Sequence, residues 1–154
     1  MGILSKLFEK KEAREARQNK ATDGLRMFME TFLATNKLGE KLKKKIPDNQ
    51  RTDRIISAFA FGSLKIFATQ WNLNQEEFYE VYAAYLDFGL FKGKPKKLKE
   101  TRKWWDDQVK QGKRDGDFYK VMGIGEQATK DLAAQKLGNV LILYTTIMDE
   151  NIKI

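Results

Sequence analysis

Cysteine and histidine are both absent from these 154 residues. Without cysteine there is neither a disulfide framework nor a thiolate metal site. Without histidine the commonest general acid–base group and the commonest transition-metal ligand are missing, as is every Ser–His or Cys–His nucleophile arrangement. Serine is scarce too, and none of Ser5, Ser57 and Ser63 begins the S-x-x-K pattern of a serine–lysine mechanism. Carboxylates, tyrosines and lysines remain as possible chemistry, and carboxylates alone can run an enzyme. The expectation is a non-catalytic protein with no metal and no cofactor. No apolar run reaches the roughly 18 residues of a membrane span, and no apolar core of a secretory signal is recognised. A cytoplasmic protein is expected, with attachment to a membrane surface left open.

What is present describes a globular chain. Hydrophobic residues make up 42% and aromatics 12%, enough for a core in a single domain of this length. Lys and Arg outnumber Asp and Glu by 29 to 21, so the chain carries +8 and favours encounters with acidic protein surfaces, nucleic acid or anionic lipid.

Periodicity predicts an all-α bundle of five or six helices, divided into a basic amphipathic helix over 1–20 and a helical domain over 21–154. In the first segment Ile3, Leu4, Leu7 and Phe8 form one apolar edge, and six basic residues against three Glu give +3. That edge suits docking onto the chain's own domain or a partner subunit, or anchorage on anionic lipid. Thr22–Asp23 is read as the cap of a second helix ending before Pro47, with Leu25, Phe28, Met29, Phe32 and Leu33 on one face. Residues 54–71 are apolar nearly all round and form the expected central helix. Asn74 and Glu77 have the spacing of a capping box opening the next helix, about 75–91.

That last helix carries Glu76, Glu77, Glu80 and Asp87 with no Lys or Arg before Lys92. DNA phosphates would repel it, which excludes a recognition helix in a helix-turn-helix. Pro95 suits the first turn of a further helix, with Leu98, Arg102, Trp105 and Val109 on its inward face. Beyond Gly112–Gly116, residues 118–122 precede a break at Gly123 and Gly125. One long helix is expected from 126 to about 150, with Val140–Thr146 left open between helix and strand.

Three motifs tempt. Gly123-Ile-Gly125-Glu-Gln-Ala128 matches a dinucleotide fingerprint, but no parallel sheet can form around it, and Glu126 would oppose a pyrophosphate. Asp115, Asp117 and Glu126 fall at EF-hand spacing, but Lys120 replaces the glycine of the sharp turn. Residues 89–95 fall one residue short of a phosphate loop and end in Pro95.

The functional pointer is the stretch 92–103. Its seven basic residues and one acid give +6. Lys92, Lys94, Lys96, Lys97, Lys99, Arg102, Lys103 and Trp104 are the candidate partner- or anion-binding residues, with Ile3, Leu4, Leu7 and Phe8 as a second docking set. Helical phasing puts Trp105 in the core and leaves Trp104 outside as a stacking platform, alongside Phe91. The leading expectation is an accessory or adaptor module that docks onto a protein partner or a second copy through this basic surface. The acidic helix before it is a ready partner for the lysines. Nucleic-acid binding through the same patch, or peripheral membrane binding through residues 1–11, stands as the alternative.

Overall fold

The computed structural model describes residues 2–110, 112 and 116–154. The loop expected over 112–116 and the EF-hand-like position Asp115 lie largely outside the described residues. Among those described there are six α-helices, a single π-helical turn and no strand. The expected single-domain helical bundle is therefore present.

Helix α1 (Ile3–Leu42) is 40 residues long, about 60 Å at 1.5 Å per residue. It runs unbroken through the boundary expected near residue 21. The Thr22 hydroxyl does not cap a new helix; it donates back to the Gln18 carbonyl at 2.8 Å. Gly24 is not a breaker either, because a Cβ there would come within 2.6 Å of the Phe67 ring. Lys, Glu, Ala, Leu and Arg dominate the first half, all strong helix formers, and Lys11 pairs with Glu15 one turn on at 3.9 Å. Ala21, Leu25, Met29 and Phe32 form the buried stripe of α1.

That stripe packs on α2 (Gln50–Gln70), where twelve of 21 residues are buried, as its all-round apolarity required. The Asn49 side chain accepts from Thr52 N at 2.9 Å and starts the helix. Edge-to-face ring pairs join the two helices at Phe28–Phe67 and Phe32–Phe59, with centroids 5.0 and 4.9 Å apart.

The closest pairing in the bundle is α2 with α5 (Phe118–Ala133). Gly62 of α2 lies against the Met122 carbonyl, and Gly125 of α5 against the Phe59 carbonyl. Between them the Ser63 and Thr129 hydroxyls share a buried hydrogen bond of 2.6 Å. Gly123 and Gly125 therefore do not break the helix, as periodicity suggested; Gly125 lets two backbones touch. The long helix expected from 126 to 150 does not form. Helix α5 ends at Ala133, a connection holding Gly138 follows, and α6 (Ile142–Met148) completes the bundle. Gln135 in this connection takes φ 59°, which a helix cannot hold; the open choice over 140–146 resolves largely to helix because α6 covers 142–146.

Helix α3 (Gln75–Tyr85) opens with both bonds of the expected capping box, Glu77 N to Asn74 at 2.8 Å and Asn74 N to Glu77 at 3.0 Å. Its acids do not face the lysines of 92–103. Glu77, almost fully buried, takes Arg17 at 2.8 Å, and Glu80 takes Arg14 at 2.6 Å and Gln18 at 2.8 Å. The acidic helix is thus pinned to α1.

Residues 2–13 of α1 continue past this contact with every side chain exposed. Ile3, Leu4, Leu7 and Phe8 are 56–80% exposed and do not dock onto the chain's own domain.

Candidate functional site

The chain leaves α3 through a π-helical turn (Leu86–Leu90), closed by Phe91 N bonding the Leu86 carbonyl at 3.0 Å. Gly93, at φ 73°, supplies the left-handed residue of the following turn. Pro95 then occupies the first turn of α4 (Pro95–Val109), as expected.

The inward face of α4 consists of Thr101, Trp104, Trp105 and Gln108. At 100° per residue its centre lies about 80° from the face predicted through Leu98, Arg102, Trp105 and Val109. This rotation corrects two assignments. Trp104 is no exposed platform: it is 5% exposed, stacks edge-on against Phe118 at 5.3 Å, and has Arg54 over its ring at 5.5 Å. Arg102 moves outward and meets Asp87 of the π-turn at 3.5 Å. The cause is the seat that α4 occupies. Trp105 fits against Tyr79 and Tyr82 of α3, while Trp104 reaches across to α5, so adjacent indoles straddle a groove. Phe91 is buried as well and offers no stacking surface.

The aromatic that does face outward was missed. Phe88, on the π-turn, is 76% exposed. Its signal was the polar and glycine neighbourhood Asp87-Phe88-Gly89, where an extra residue per turn rotates a side chain off the packing stripe.

The basic residues divide into two groups. Lys97 turns back to Asp48, which it contacts closely, and to Asp53 at 3.5 Å. The hydrogen bond from Lys97 holds the Asp48 carboxyl below its ordinary range and raises the Lys97 ammonium. Burial pushes Asp53 the other way, upward, against the pull of Lys97. Lys92, Lys94, Lys96, Lys99 and Lys103 are all exposed and make no ion pair among the described residues. Of these, Lys94 lies near enough to Asp48 and Asp53 to lower both electrostatically. Lys96, Lys99 and Lys103 share one face at i, i+3 and i+7, opposite the buried face. No acid occupies the first turn of α4, where the helix dipole favours one.

Behind this helix, where it meets α1, α2 and the 43–49 connection, the surface opens into a cavity of about 440 Å³. Lys94 and Lys97 reach its edge, so the predicted cluster flanks a concavity that sequence spacing did not reveal. Among the described residues, no helix is long and apolar enough to cross a membrane. Comparison of the chain with protein-family models, curated proteins and solved structures finds no match.

Proposed function

We propose that this protein is a non-catalytic helical interaction module, an accessory subunit that docks onto an acidic protein surface through α4. Lys96, Lys99 and Lys103 supply the central stripe, Lys92 and Lys94 its edge, and Phe88 an apolar anchor. The observation that carries this reading is the unpaired stripe itself. Like charges at helical spacing cost about 0.2–0.5 kcal/mol per pair, and the acids nearest the stripe are engaged elsewhere, Glu100 on Gln50, Asp48 and Asp53 on Lys97, and Asp87 on Arg102. Exposed cations and an exposed large aromatic are both features of protein interfaces. Burial of Trp104 and Phe91 removes the stacking surfaces on which a nucleic-acid reading relied.

The test is co-purification from a nuclease-treated extract of the native cell. Wild type is compared with Lys96→Glu/Lys99→Glu/Lys103→Glu and with Phe88→Ala. A protein held by wild type, released by salt and lost from both variants supports the reading. Equal retention by all three, or binding that vanishes with nuclease, overturns it.

A second reading, peripheral attachment to an anionic membrane through residues 1–11, is favoured by the exposed Ile3, Leu4, Leu7 and Phe8. Co-sedimentation with phosphatidylserine vesicles that persists in Leu4→Glu/Leu7→Glu would count against it.

A further inference from the structure

The cavity behind α4 has a chemistry of which the docking surface uses only Lys94. Its apolar wall includes Leu33 of α1, Ile56 of α2 and Phe91. Two polar side chains set into it, Asn36 at 4% exposure and Thr52 at 5%, each hold an oxygen with no hydrogen-bond partner. An unsatisfied buried polar atom costs about 1–3 kcal/mol, so a fold that keeps two in one wall carries a penalty that packing does not explain. Either position could hold an apolar side chain of the same size.

The charges at the mouth are not equivalent. Glu40 accepts from Ile46 N at 3.1 Å, and Asp48 and Asp53 both take Lys97. All three acids are therefore committed. Lys37 and Lys94 also line the mouth, and neither makes an ion pair among the described residues. The site thus offers two cations without an ion pair at its mouth, apolar surface within, and two covered, unpaired oxygens in its wall.

We infer that this cavity binds a small amphipathic organic anion, with an apolar body against Leu33, Ile56 and Phe91. A hydrogen-bond donor on the ligand draws the covered oxygens of Asn36 and Thr52 to it by side-chain rotation, and its single negative group meets Lys37 and Lys94. The volume lies within the range of small-molecule sites. The inference shares Lys94 with the α4 docking surface but does not depend on that reading.

The probe is 8-anilinonaphthalene-1-sulfonate, which combines aromatic rings, one N–H donor and a sulfonate. It is titrated into the full folded chain by calorimetry, with near-ultraviolet circular dichroism showing that the protein stays native. Saturable binding of one probe per chain is expected. Thr52→Val and Asn36→Leu should each weaken it about fivefold, the worth of one hydrogen bond. The same two variants should leave the free protein's melting temperature unchanged or raised, because each removes an unpaired polar atom. Lys94→Gln should also weaken binding, and Ile56→Trp, which fills the cavity, should abolish it. If Ile56→Trp does not fold, Thr52→Val and Lys94→Gln carry the test. Lys99→Gln and Leu7→Lys, both outside the cavity, should leave affinity unchanged. No saturable binding overturns the inference. So does binding indifferent to Thr52→Val and Lys94→Gln, or binding lost in Leu7→Lys.

Discussion

Replacing Gly62 by alanine puts a methyl group where α2 and α5 touch. A Cβ at this position would sit 2.7 Å from the Met122 carbonyl carbon, and one at Gly125 2.8 Å from that of Phe59. Carbon atoms in contact prefer about 3.5–4.0 Å, and the carbonyl oxygens stand nearer still, so relief needs the helices to part by at least about 1 Å, enough to forfeit a quarter to a half of each contact across the seam. Both obstacles are backbone, so no side chain can rotate away. Overpacking of this kind costs about 1–3 kcal/mol. Losing the buried Ser63–Thr129 bond, 2.6 Å long and beside the crossing, adds about 1 kcal/mol. The better helix propensity of alanine offsets about 1 kcal/mol. The net for Gly62→Ala or Gly125→Ala is a loss of about 2 kcal/mol, or about 4–8 °C in melting temperature. Gly123 supplies the opposite case on the same helix: it is exposed, with nothing within 4 Å of a built Cβ. Gly123→Ala should gain about 1 kcal/mol and melt about 2–4 °C higher. Thermal unfolding followed by far-ultraviolet circular dichroism measures all three. A Gly125→Ala protein that melts at or above wild type would refute the close crossing. It would return the glycines to the helix break that their spacing suggested.

Trp104→Ala should cost about 3–5 kcal/mol and lower the melting temperature by about 10 °C, whereas an exposed platform would change it by less than a degree or two; urea denaturation distinguishes the two. Leu4→Glu/Leu7→Glu should leave the melting temperature within about 1–2 °C of wild type, since both side chains point into solvent. A larger fall would mean that residues 3–8 pack on the body. The hydrogen bonds from Gln18 and Arg14 hold the Glu80 carboxyl below its ordinary range, so its stabilisation is present above the unfolded value and disappears as pH falls through the lowered one. Glu80→Gln should therefore melt slightly below wild type at pH 7 and converge with it in acid. A gap that persists at pH 2–3 would locate the loss elsewhere.

The elements legible in the sequence were those whose local and tertiary demands agree. Residues 54–71 lack a polar face and could only be surrounded, and they form the heart of α2. Asn74 and Glu77 satisfy each other's backbone and needed no further context. Three of the misreadings share one cause: a residue whose local preference was overruled by a neighbour distant in sequence. Thr22, Asp23 and Gly24 resemble a helix start, yet Gly24 is small because Phe67 presses on it. Gly125 resembles a break and is small because Phe59 presses on it. The inward face of α4 was phased on Leu98 and Val109, but the seat between α3 and α5 rotates it to take both tryptophans. Of the candidate site, the lysines were visible as a charge run. Which of them stay unpaired depends on Arg14 and Arg17 claiming the acids of α3 some sixty residues away. The cavity could not be read at all, because its walls come from four separated segments.

The unbroken course of α1 has a mechanical consequence. A compact chain of this length is about 40 Å across, so a 60 Å rod overhangs it by about 20 Å. A flexible tail of eleven residues would only raise local concentration, since the ends of such a tether wander freely. A helix continuous with the core fixes direction as well as distance. Anything gripped by Ile3, Leu4, Leu7 and Phe8 would be presented at a set angle to α4, and a push on the tip would reach Leu25 and Phe32 as torque. With such a partner bound, the first turns of α1 would act as a lever whose fulcrum is the contact of Arg14 and Arg17 with α3.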